Sequence, residues 1–159
     1  VPGVSAVEGC GAYAGIPLTL RGVAQAVLLA TGHTRDGGTP TIGEHQPGQT
    51  LAVYMGVAQY SELAEALVGK GYARETPVAV VESGTTDRQR VVRTTLGDLA
   101  AAQAALEIHP PALLIVGETT RYAERYSWFA PSKIEYFAGE SADESADVSY
   151  RQSTNKAAP

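Results

Sequence analysis

Four short stretches are almost continuously apolar: residues 26–31, 50–55, 77–82 and 112–117. Runs of this length suit strands, and their lack of alternation predicts that both faces are covered, as in a sheet lying between two helix layers. Residues 89–94 alternate instead, with charge on one face, and predict an edge or antiparallel strand. Three other segments follow helical spacing. Residues 5–14 are rich in small side chains, with Ser5 in the N-cap position and Gly15 as a stop. Residues 60–70 place Leu63, Ala64, Leu67 and Val68 on one face and end at Gly71. Residues 96–106 are alanine-rich and stop before His109-Pro110-Pro111. A leading helix followed by β-β-α-β-β-α-β predicts an α/β domain, a mixed sheet flanked by helices. Residues 32–48 carry five Gly and two Pro among polar residues and read as an exposed, mobile loop.

Composition changes this picture only at the far end. The chain has 159 residues, 44% hydrophobic and 18% charged, enough for one domain with a core of its own. Residues 139–159 depart from that average. Glu140, Asp143, Glu144 and Asp147 sit there among Ser and Ala, with Val148 and Tyr150 almost the only bulky apolar residues. The expected division is therefore an α/β domain over residues 1–138 and a disordered acidic tail over 139–159. No apolar run approaches the ~20 residues needed to span a bilayer, and no basic segment precedes one as in an export signal. The chain reads as soluble and cytoplasmic. A net charge of −5 argues against broad nucleic-acid or membrane-surface binding. A single cysteine, Cys10, leaves no internal disulfide. The opening Val1-Pro2-Gly3, without an initiating Met, reads as a piece of a longer protein.

The familiar catalytic spacings are missing: no GxGxxG after a strand, no Walker loop, no GxSxG, CxxC or HExxH. His33, His45 and His109 are too scattered to suggest a metal site. Cys10, between two glycines, suits a small packing residue better than a nucleophile. The remaining signals are strand ends, where open α/β sheets bind ligands. Tyr54-Met55-Gly56, Glu82-Ser83-Gly84-Thr85-Thr86 and Gly117-Glu118-Thr119 each place a glycine there. Such a glycine either lets a ligand approach the backbone or makes a turn, and spacing does not choose between them. Met55, the one methionine, is either core filler or a polarizable contact for a flat ring.

Taken in order, these segments carry a resemblance. Val1-Pro-Gly-Val-Ser-Ala6, then Gly9-Cys10, Ala12-Tyr13, Gly15-Ile-Pro-Leu-Thr19, Arg21, Ala24-Gln25 and Thr31-Gly-His33 resemble the uroporphyrinogen-III C-methyltransferases of the tetrapyrrole methylase family. Tyr54-Met-Gly56, Pro77-Val-Ala-Val-Val-Glu82, Gly84-Thr85, Gln89-Arg-Val91 and Pro111-Ala-Leu-Leu-Ile-Val-Gly117 continue it in register. The resemblance covers roughly residues 1–130 and only the C-terminal portion of the family's fold. It implies a cleft between two α/β domains that binds S-adenosyl-L-methionine, with the other domain upstream of Val1. It implies two methylations of uroporphyrinogen III, giving precorrin-1 and then precorrin-2 for sirohaem and cobalamin synthesis, by a homodimer. On matching positions, Ser5 and Ala6 lie near the cofactor, Met55 beside it and Gly84 at its adenosine end. Ser5 stands for a Thr and keeps the hydroxyl, whereas Leu20 stands where a His is common. The substrate is rich in carboxylates, for which arginine's planar fork is suited. Arg21 is the first candidate to face it, with Arg88 and Arg90 behind. An activated methyl needs alignment more than a metal or covalent nucleophile, and no catalytic residue is assigned. The fragment alone is expected to be inactive. Trp128-Phe129 reads as structural, packing the terminal segment or a dimer contact. The competing readings are a non-catalytic binding or dimerization module, and a methyltransferase acting on a later precorrin.

Overall fold

Apolar runs too short for helices bury themselves by pairing side by side. A computed structural model describes residues 2–32, 42–130 and 132–139. Its elements are α1 (Ala6–Ala14), β1 (Ala26–Thr31), β2 (Gln49–Tyr54), α2 (Tyr60–Gly69), β3 (Pro77–Glu82), β4 (Arg90–Thr95), α3 (Leu99–Ala105), β5 (Ala112–Val116) and β6 (Lys133–Tyr136). The six strands form one mixed sheet in the order β1-β2-β5-β3-β4-β6. β1 and β2 are parallel, as are β4 and β6, and the other pairs are antiparallel. The carboxyl ends of β1, β2 and β3 therefore share one edge of the sheet with the amino ends of β4, β5 and β6.

Alternation along the strands divides the core in two. Leu51, Val53, Val80, Val92, Leu114 and Val116 face Leu63 and Leu67 of α2 and Leu99 of α3. Ala52, Ala79, Val81, Val91, Leu113 and Ile115 face α1 through Val7 and Ala14, with Ile16 and Ala123 closing the layer. The α/β architecture expected from the sequence is therefore present, with helices on both faces. α1 starts and stops where its caps place it: Ser5 is extended, and Gly15 leaves the helix at φ +69°. Among the described residues, no helix is long and apolar enough to cross a membrane.

Several expectations need correction. β1 has the same apolar pattern as its neighbours but lies at the sheet edge. Leu28 and Ala30 pack on the α2 core, whereas Leu29 is 51% exposed. Of the two alternatives for residues 89–94 the antiparallel one holds: β4 pairs antiparallel with β3, and β6 covers its other side. The third helix begins only at Leu99, because the amides of Leu96 and Gly97 donate to Thr76 O and Arg74 O. Of the expected loop, residues 33–41, including His33, lie outside the described residues. Its end is held down: Ile42 is buried in the core, His45 packs edge-on against Tyr72, and His45 N donates to Lys70 O. The expected acidic tail lies outside the described residues from position 140 onward.

Candidate functional site

α1 runs beside the edge shared by the ends of β2 and β3, and three side-chain contacts hold it there. At its first turn Val7 N donates to Tyr54 Oη at 3.1 Å. At its middle Cys10 Sγ lies against Gly84, occupying the place a Cβ would take. At its last turn Tyr13 O accepts from Gln89 Nε2 at 3.1 Å. Gln89 is almost fully buried and completes its bonding through Thr85 N, which donates to Oε1 at 2.7 Å, and Ser132 Oγ at 2.9 Å from Nε2. One amide thus ties the loop after β3, the end of α1 and the approach to β6. Burial pushes the Cys10 thiol above its ordinary pKa, so it stays protonated near neutral pH. That supports its reading as a packing residue.

The backbone along this edge is unusual. Met55 at φ +55°, Ser83 at +49° and Thr85 at +68° occupy the left-handed region, which side-chain-bearing residues rarely adopt. Each such residue costs about 1–3 kcal/mol and persists only where its surroundings dictate it. Met55 leaves the strand in that conformation with its side chain 68% exposed. Ser5 and Ala6, at the start of α1, are also exposed. Ser5 is the N-cap, and its amide donates to Glu8 Oε2 at 3.2 Å, the return arm of a capping box.

Four of the residues singled out in the sequence are therefore brought together: Ser5 and Ala6 through the Tyr54 contact, Met55 next to it, and Gly84 beneath the same helix. Gly84 has a structural reason to be glycine, because its vacant side holds Cys10 Sγ. Arg21 is not brought to this edge. It is exposed in the turn closed by the Leu20–Ala24 bridge, and Gln25 N donates to Gly48 O at the start of β1 and β2, the opposite end of the sheet. Gly117 also lies at that far end, its amide bonded to Pro77 O, because β5 runs against β2 and β3. Arg90 is engaged: it pairs with Glu82 at 2.6 Å and donates to Leu106 O and Glu107 O. Arg88 remains exposed in the loop after Gly84. Trp128 packs the segment after β5 onto α1, donating from Nε1 to Ala12 O at 2.7 Å and meeting Tyr13 edge-on. Sequence reasoning missed the roles of Tyr54 and Gln89. Each stands at a strand boundary and within a segment of the resemblance, and neither signal says what its side chain would hold.

Comparison with known proteins agrees with the fold. The profile of the family Tetrapyrrole (Corrin/Porphyrin) Methylases matches residues 1–100. A siroheme synthase of Pseudomonas fluorescens is 47% identical over 131 residues, covering 81% of this chain and 28% of the relative. One of Stutzerimonas stutzeri is 46% identical over the same span. Among solved structures, a uroporphyrin-III C-methyltransferase from Thermus thermophilus, complexed with S-adenosyl homocysteine, superposes with a TM-score of 0.64 at 34% identity. That match covers 76% of this chain and 50% of that one. A cobalt precorrin-4 methyltransferase of cobalamin biosynthesis superposes at 0.65 with 27% identity, covering 76% of this chain and 52% of that one. The chain thus spans about half the length of these structures and 28% of the curated relatives.

Proposed function

The chain belongs to the tetrapyrrole (corrin/porphyrin) methylases, and from that premise we propose that it forms one wall of a methyltransferase site. The cofactor is S-adenosyl-L-methionine, and the reaction is the C-methylation of uroporphyrinogen III through precorrin-1 to precorrin-2. The observation that carries this reading is that the Val7–Tyr54 hydrogen bond brings the start of α1, with Ser5 and Ala6, to the end of β2, where Met55 leaves the strand on strained backbone. The family resemblance assigns these same residues to the cofactor.

The residues present suit the group. Ser5 offers a hydroxyl, Ala6 a methyl and Met55 an exposed thioether, a small and weakly polar wall for a nucleoside thioether. Gly84 acts by letting α1 settle over the end of β3, so it shapes the wall from beneath. When bound, S-adenosylmethionine supplies a methyl already activated on a sulfonium, and the protein's task is alignment and exclusion of water. The fixed loop after β3 and the capped first turn of α1 supply the alignment from this side. A second α/β domain supplies the facing wall. In support, Val4 is 79%, Leu29 51% and Met55 68% exposed, an apolar surface left wet in this chain. Arg21, exposed and without an ion pair among the described residues, lies at the opposite end of the sheet, so this geometry gives it no part in the wall. The resemblance adds a cytoplasmic homodimer to this reading.

The similarities favour uroporphyrinogen over a later precorrin as substrate. Among solved structures neither TM-score nor identity separates the two, since the uroporphyrin-III enzymes span 28–34% identity and the precorrin-4 enzyme stands at 27%. The support is that curated relatives at 46–47% identity are siroheme synthases. Titration calorimetry with S-adenosylhomocysteine tests the proposal, using the chain alone and the polypeptide in which it naturally occurs. Binding by the natural polypeptide and not by the isolated chain is expected. Absence of binding by both would sink the methyltransferase reading.

A further inference from the structure

We propose that Tyr54 is a positioning residue for the cofactor wall, its hydroxyl fixing the first turn of α1 against the end of β2. The proposal rests on the functional reading above. The first turn of any helix leaves amide donors without intrahelical acceptors. In α1 the amide of Val7, two residues past the N-cap, finds its acceptor on a different element, Tyr54 Oη at 3.1 Å. The position of that oxygen is set by the core. The Tyr54 ring is half-buried against the α1-side cluster, and its backbone pairs with Thr31 and Leu113 while its carbonyl accepts from Gly32 N at 2.6 Å. Met55 follows immediately. One hydrogen bond therefore sets Ser5 and Ala6 in register with Met55.

Removing it should leave α1 docked. Cys10 remains seated on Gly84, Tyr13 O remains bonded to Gln89, and Val7 and Ala14 remain in the core. Only the first turn is released. This separates positioning from folding, because Tyr54→Phe keeps the ring and its packing while deleting the acceptor.

The test is Tyr54→Phe in the natural polypeptide, with Tyr136→Phe at an exposed strand position as the control. S-adenosylhomocysteine affinity should fall about three- to tenfold, the equivalent of one net hydrogen bond. Exchange of the Val7 amide should accelerate, with the melting temperature nearly unchanged, and Tyr136→Phe should alter none of these. A variant that melts earlier but binds as tightly as wild type would make Tyr54 merely structural and overturn the proposal. Unchanged binding together with unchanged Val7 exchange would also overturn it, leaving the methyltransferase reading intact. A wild-type polypeptide that does not bind S-adenosylhomocysteine would overturn both.

Discussion

A single methyl group added at Gly84 should reveal how α1 is seated. Gly84 is not in the left-handed region, so Gly84→Ala carries no backbone penalty of that kind; the cost is steric. The new Cβ would overlap Cys10 Sγ and come to 3.2 Å from Val81 Cγ1. Val81 is fully buried in a central strand and cannot retreat, so α1 must lift or the loop must shift. Overpacking of this kind costs about 1–3 kcal/mol, or roughly 2–4 °C in Tm for each kcal/mol at this chain length. Cys10→Ala removes the colliding sulfur, and the Cβ left behind stands at 3.4 Å, ordinary contact. The double variant Gly84→Ala/Cys10→Ala should therefore recover most of the loss, with a coupling of about 1–2 kcal/mol. The Val81 contact keeps recovery incomplete. Urea melts of the four proteins, read at constant m-value, measure the cycle. Additive single effects would refute the argument that Cys10 is why position 84 is glycine. Titrating the double variant with S-adenosylhomocysteine would then show whether the ligand also needs that space.

Two further outcomes follow from the same packing. Gln89→Leu keeps the volume but leaves Thr85 N, Tyr13 O and Ser132 Oγ without their shared partner; about 2–4 kcal/mol should be lost in urea melts, and a loss under 1 kcal/mol would deny the amide its tying role. Alkaline pH should also weaken the fold, because burial raises the pKa of Cys10 and Tyr72, and burial with the Glu82 charge raises that of Tyr60. Above about pH 8.5 the unfolded thiol loses its proton while the folded one keeps it, so stability falls as pH rises, with the tyrosines extending the fall at higher pH. Urea midpoints between pH 7 and 10 would show this, and Cys10→Ala should remove the earliest part of the decline.

The central strands were legible because their environment is what the pattern encodes. β2, β3 and β5 are apolar on both faces and are covered on both faces. β1 carries the same pattern with half of it wet, since the pattern records that a surface is to be covered and not by what. β6 was invisible for the opposite reason: its four residues are exposed or only half-buried and belong to the sheet through backbone pairing with β4. α3 lost its first turn to carbonyls of residues 74 and 76, acceptors that no local propensity reveals.

The site was legible as a set of strand-end glycines but not as a place, because direction in a mixed sheet is a property of the whole. Inserting β5 antiparallel between β2 and β3 sends Gly117 to the far edge while Met55 and Gly84 stay together. A parallel β5 would have joined all three, and the segment's composition is the same either way. What gathers the remaining residues is side-chain chemistry acting over long separations: the phenol of Tyr54 on the start of α1, and the amide of Gln89 on its end. Those two bonds also explain how strain can persist there. Three side-chain-bearing residues in left-handed backbone represent several kcal/mol held along one short rim. The core face beneath them and the two fasteners on α1 supply the surroundings that over-determine them. A rim that needed only to close turns could use glycine at positions 55, 83 and 85, as it does at 15 and 71. That this rim keeps hydroxyls and a thioether on strained backbone supports its proposed use as a binding wall.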